Sequence, residues 1–360
     1  MPILHRIERR LYKYTHRTTS LRFQIILSII TTIIISFLFY TSFTNIQFFD
    51  PKPELHFIKP QQFKDLQVTP ILVKTGLFIH NFPVFDTVHN KFAIEGILWF
   101  EFNPSLISFN TIDKFEFDKG DITYKSKPII RMQDHIAFVK YDIEAEFTSS
   151  LDYRFFPLDD HRLYIILVNK HTTPTELIMS SEQSYFNMAD KIYTGGLKLL
   201  GKNVEYGYVQ ARLFENTKQA MVYNPVVIFS MDFKKSGIRK LLLIVLPIIL
   251  MFFMSLFPLS LDPSSHASAI LGLSLGSVSS MLAYRYVIES LSPSVGYFTL
   301  TDYLYTFILV CVFFNFLLSL LSIRGAQQLS YPFKVLRLIV IITLYISLIV
   351  YLYSLLYHFF

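Results

Sequence analysis

The sequence predicts a multi-pass membrane protein: an outer antiparallel β-sandwich followed by a four-helix transmembrane bundle, with one extra transmembrane helix at the N-terminus. Two features of distribution point there. The 360 residues are 52% hydrophobic and only 17% charged, and the apolar excess is gathered into one block near the N-terminus and a near-continuous region after residue 240. Between these lie alternating, β-branched and aromatic runs, broken by turn residues at short intervals and without a long helical period.

Residues 1–23 form a basic leader. Arg6, Arg9, Arg10, Lys13, Arg17 and Arg22 stand against one acid, Glu8, and would hold this end in the cytoplasm. The net charge of +6 therefore describes one flank, and the partner it implies is a membrane surface, not nucleic acid. Residues 24–43 (QIILSIITTIIISFLFYTSF) run 20 positions without a charge, enough to cross a hydrocarbon core. A signal peptide is the competing reading; the length of segment and leader, and the lack of a small-x-small cleavage site, favour an uncleaved anchor. Residues 44–69, with Pro51, Pro53 and Pro60, read as a linker.

Residues 70–236 hold the strands: ILVKTGLFI, KFAIEGILWFEF, HIAFVKYDIEAEF, HRLYIILVN, YGYVQARLF and VVIFSMDF, a pattern that fits an antiparallel sandwich. Residues 237–360 hold four more apolar segments, at 241–261, 264–288, 303–322 and 336–357. Arg324 and Lys334 put the loop between the last two in the cytoplasm, so five spans leave the strand domain and the C-terminus outside. Lys234, Lys235, Arg239 and Lys240 break this charge rule locally.

Function classes can be excluded on the same residues. One cysteine, Cys311, rules out an intrachain disulfide, a zinc finger and a CxxC redox motif. There is no HExxH, no glycine-rich phosphate loop and no GxSxG elbow, so neither enzyme, metal site nor cofactor is expected. Asp159, Asp160 and His161 are adjacent, but neighbouring strand residues face opposite ways and are not expected to converge.

The segment at 265–289 is the unusual one. At helical spacing Ser268, Gly272, Gly276, Ser279, Ala283 and Tyr286 form one stripe, and Leu271, Leu275, Val278 and Leu282 the next. Small residues let helices approach closely; equally, hydroxyls and bare backbone suit a water-filled pore, with the leucines as a dewetting constriction. Spacing alone leaves these readings level. Arg285 and Glu289, four apart, are intramembrane ions and so functional candidates.

Here the residues resemble a family. KTGLFIHNFPVFDTVHNKFAIEGILWFEF (74–102), FPLDDHRL (156–163), IVLPIILMFFMSLFPL (244–259) and SLSPSVGYFTLTDYLYTF (290–307) occur in the order of the bacterial pentameric ligand-gated ion channels, the Cys-loop-receptor fold. They resemble its first outer strands, its FPxDxQ signature, its proline-bearing first membrane helix and the loop after its pore helix. The resemblance spans residues 70–357.

That resemblance implies a homopentamer in a bacterial inner membrane, gated by an unknown small molecule or protons and conducting inorganic ions, with a weak preference for cations. Its pore would be lined by Ser268, Gly272, Gly276, Ser279, Ala283 and Tyr286, with Glu289 near the outer mouth and Asp262 near the inner one. Ser279 would then stand where a bulky ring is expected, so either Leu275 and Leu282 turn inward as the gate or the gate is unusual. Coupling between domains would run through Phe156, Pro157, Asp159, Lys235, Pro293 and Tyr297, with Lys235 facing Asp159. Agonist would meet aromatics from Tyr185, Phe186, Tyr193, Tyr206, Tyr208 and Tyr223, a composition suited to a cation. The alternative is a non-conducting, membrane-anchored sensor that reuses the fold.

Overall fold

The computed structural model of the chain describes residues 21–44, 50–56, 70–86, 89–149, 151–190, 192, 194, 197–212, 221–235, 238–325 and 331–358. Two compact units emerge. One joins residues 1–46, 153–158 and 238–360; the other joins 47–152 and 159–237.

The helical unit contains α1 (Leu21–Thr44), α3 (Arg239–Leu256), α4 (Pro263–Leu291), α5 (Leu300–Gly325) and α6 (Tyr331–His358). All five are long and apolar enough to cross a membrane. Their surfaces are inverted relative to a protein in water. On α1 the buried stripe is Gln24, Ser28, Thr31, Ile35, Phe39 and Ser42, while Ile26, Ile29, Ile33 and Phe37 point outward. Several of the buried polar groups are bonded: Gln24 Nε2 donates to the Leu256 carbonyl at 3.0 Å, and the Ser28 and Tyr345 hydroxyls meet at 2.6 Å. Likewise Asn315 of α5 is buried and donates to Ser255 Oγ at 3.0 Å, beneath exposed Val310, Phe313, Phe314 and Leu321. An apolar exterior over a hydrogen-bonded interior is what hydrocarbon demands, since lipid offers polar groups no partner.

α3 carries Pro247 in its interior. Proline has no amide, so the carbonyl four residues earlier, at Leu243, loses its helical donor. The Tyr284 hydroxyl of α4 donates to that carbonyl. α5 opens on a capping box: the Thr299 amide and hydroxyl both reach Asp302 Oδ2, at 2.9 and 2.8 Å, and the Asp302 amide returns to Thr299 Oγ1.

The other unit is strand-rich. Its strands are β1 (Ile71–Asn81), β2 (Phe85–Asp86), β3 (Lys91–Phe102), β4 (Glu116–Asp118), β5 (Gly120–Lys125), β6 (Ile129–Gln133), β7 (Ile136–Thr148), β8 (His161–Val168), β9 (Leu177–Ser180), β10 (Phe186–Met188), β11 (Leu197–Arg212) and β12 (Met221–Lys235), with a short helix α2 (Phe109–Asp113). The sequence leads one to expect two stacked sheets. The strands instead form one path, β10-β1-β3-β7-β5-β4-β8-β12-β11, because the short β4 and β5 bridge β7 to β8. The result is a near-barrel. Pairing is antiparallel except where β9 and β10 run parallel to β1.

Alternation fills the interior: Val139, Tyr141, Ile143 and Ala145 of β7, Leu163, Ile165 and Leu167 of β8, and Phe229, Met231 and Phe233 of β12 are buried. Gly76 exists for Trp99, since a Cβ there would lie 2.2 Å from the indole.

Candidate pore helix and coupling loop

α4 starts from Asp262, whose carboxylate accepts from the Ser264 amide and hydroxyl, with Pro263 in the first turn. Its buried residues are Ile270, Ser274, Ser277, Met281 and Ile288. At about 100° per residue these fall on one side, and Ser268, Gly272, Ser279, Ala283 and Tyr286 fall on the side opposite, all exposed. Gly276 lies beside them, half-buried, and Glu289 is exposed. Leu275 and Leu282 form the shoulder of the same open face, 52% and 53% exposed.

The glycines distinguish the two readings within this chain. A Cβ added at Gly272 or at Gly276 would meet nothing within 4 Å. Their smallness therefore does not serve close approach to the helices of the same chain. The close packing inside the unit is done from the opposite face, by Ser274 and Ser277.

Arg285 is committed elsewhere. Its Nε lies 2.9 Å from Glu289 Oε1, its NH1 donates to Asp302 Oδ1 at 2.7 Å, and its guanidinium lies over the Tyr305 ring. The cluster of one cation and two carboxylates keeps one net negative charge, with Glu289 its most exposed member.

The loop quoted as FPLDD is divided between units. Residues 153–158 belong to the helical unit. There the Tyr153 amide donates to the Tyr297 hydroxyl at 2.9 Å, the Leu300 amide to the Arg154 carbonyl at 2.8 Å, and Thr301 Oγ1 to the Phe156 carbonyl at 2.9 Å. Phe156, Pro157 and Pro293 are buried, and the Phe156–Pro157 peptide is cis. Four of the coupling candidates, Phe156, Pro157, Pro293 and Tyr297, thus lie in one unit.

Asp159 lies in the other, where it corrects one expectation. Asp159 and His161 do converge: two residues apart they share a side, and Asp159 Oδ2 sits 2.7 Å from His161 Nε2. Immediate neighbours face opposite ways, but residues two apart share a face. Asp50 closes the group, its Oδ1 3.5 Å from His161 Nδ1. All three side chains are at least nine-tenths buried. Burial opposes the imidazolium, but the two carboxylates prevail and raise the pKa of His161 to about 10. No cluster fit to hold a metal occurs among the described residues. Lys235 pairs through its backbone with Leu197; its side chain lies outside the described residues.

The aromatic candidates separate into two groups. Tyr185 packs edge-on against Trp99, with centroids 5.1 Å apart, next to Phe138. Tyr208 packs edge-on against both Tyr223 and His56, and Tyr206 is exposed on β11. Phe186 is core, against Phe229. Tyr193 lies outside the described residues. Among the described residues of one chain these rings do not surround a common space.

Three participants had no place in the sequence reading: Asp50, Tyr284 and the segment around residues 50–56. A signal for the last exists in Gly207, one of two glycines inside β11, since a strand glycine can mark a close backbone approach. Compared with known proteins, the chain matches no protein-family model and no curated protein.

Proposed function

We propose that the chain is one subunit of a homopentameric ligand- or proton-gated ion channel of the Cys-loop-receptor type. It sits in a bacterial inner membrane with its N-terminus cytoplasmic, its β domain outside and α1 retained as a fifth span. α4 lines the pore and, with Glu289 as its outer ring, weakly prefers cations. No cofactor and no nucleic acid take part. A stimulus on the β domain moves the 152–162 loop, whose middle is bonded to residues 297–301, and α4 tilts in response.

The observation that carries this reading is the open face of α4. A membrane helix turning hydroxyls and bare glycine backbone away from its own bundle is badly matched to lipid and well matched to water. His161 keeps its charge up to about pH 10, so a proton stimulus near neutrality acts on another group.

One observation favours the second reading, a non-conducting sensor: Ser279, between Gly276 and Ala283, leaves the middle of the small stripe without a bulky ring.

Planar-bilayer recording under a pH and amine screen tests the channel. Absence of current under every stimulus, together with a non-pentameric mass, would sink it. In a Cys311→Ser background, single cysteines at Ser268, Gly272, Ser279 and Tyr286 should react with an impermeant thiol reagent and block current. Block from Leu275→Cys and Leu282→Cys instead would make the leucines the lining.

A further inference from the structure

Residues 50–56 are a strap fastened to the strands of their own unit at three points. His56 forms a two-way backbone bridge with Tyr208, at 3.0 and 3.1 Å. Gly207 makes room for it: a Cβ there would lie 2.5 Å from the His56 carbonyl oxygen. Lys52 pairs with Glu205 at 2.9 Å. The strap also walls a cavity of about 570 Å³ over Arg162, Tyr164, Ile166 and Val226.

The third fastening is Asp50. Its side chain is 2% exposed. Oδ1 accepts from the Asp152 amide at 2.8 Å, and Oδ2 accepts from the Arg162 amide at 2.5 Å. These amides are the two feet of the loop that carries Phe156, Pro157 and Asp159. A buried amide without an acceptor is costly, and a carboxylate with two oxygens satisfies both with charge-assisted bonds. We propose that Asp50 is a positioning residue, a non-covalent clasp that closes the 152–162 loop at its base. The width of the loop is then set by a residue about one hundred positions earlier in the chain. Cys311, in α5, is the only cysteine, so no disulfide does this work. The clasp is read from the β unit alone; its bearing on gating rests on the channel reading.

Amide hydrogen exchange on the full chain in detergent micelles tests it. In Asp50→Ala, the amides of Asp152 and Arg162 should exchange about tenfold faster or more, while those of β3 and β7 keep their wild-type rates. Asp50→Asn retains one acceptor oxygen, so one of the two amides should stay protected while the other does not. Unchanged protection at both amides in Asp50→Ala overturns the clasp. If Asp50→Ala does not fold, Asp50→Asn decides: wild-type rates at both amides, or a uniform loss across all strands, overturn it. Exchange does not depend on ion flow, so this result stands whether or not the bilayer experiment finds current.

Discussion

Two ionic clusters in this molecule are built alike, a cation held between two carboxylates, and differ in how much water reaches them. Around His161, the side chains of Asp50, His161 and Asp159 are 2%, 4% and 10% exposed. Around Arg285, those of Arg285, Glu289 and Asp302 are 37%, 57% and 14% exposed. In the first, burial leaves little solvent to screen the charges, so they depend strongly on one another and on the amides that bond Asp50. In the second, solvent shares the load, and one carboxylate, that of Glu289, stays exposed. Burial therefore separates a device that holds shape from one that presents charge.

The largest effect expected is from His161→Ala, which removes the cation from between two buried carboxylates and should cost about 3–5 kcal/mol. Thermal unfolding of the β unit reads it; a melting point within a degree of wild type would erase the contrast. Next is pH. The ordinary histidine value of 6.5 is raised to about 10, so the stabilisation is complete below pH 6.5 and is lost as pH rises through 10. The unfolding free energy should fall over that window by an amount on the order of a few kcal/mol, and His161→Gln should flatten the slope.

At the open cluster, Thr299→Ala removes the first residue of the α5 capping box and should cost about 1 kcal/mol. Smallest in stability is Glu289→Gln, within about 0.5 kcal/mol for so exposed a group. On the channel reading proposed above, its effect should appear instead as lower single-channel conductance to cations. A stability loss matching that of His161→Ala would mean the two clusters do the same job.

What the sequence made legible follows from how local the signal is. KFAIEGILWFEF coincides with β3 and HRLYIILVN with β8 to within a residue, because alternation is written in consecutive positions. The five apolar helices were equally plain. β4 and β5 were missed, being short and polar, and with them the bridge that turns two expected sheets into one path. Asp50 was hidden for a different reason. Its prolines say loop, correctly, but its partners Asp152 and Arg162 lie about a hundred residues away, and no local period encodes that. Tyr284 was half-legible: Pro247 announces an orphaned carbonyl at Leu243, but not which hydroxyl will find it.

The path of the chain limits how the protein can be dissected. It passes between the two units at 46/47, 152/153, 158/159 and 237/238. A soluble fragment cut at 47 and 237 would therefore carry six residues that fold with the helices. It would display Tyr153, Phe155, Phe156 and Leu158, all buried in the intact chain, as a sticky tongue with no helices beneath it. Aggregation of such a fragment would reflect where it was cut and say nothing about the stability of its strands. Ligand screens on the β unit are better run on the whole chain.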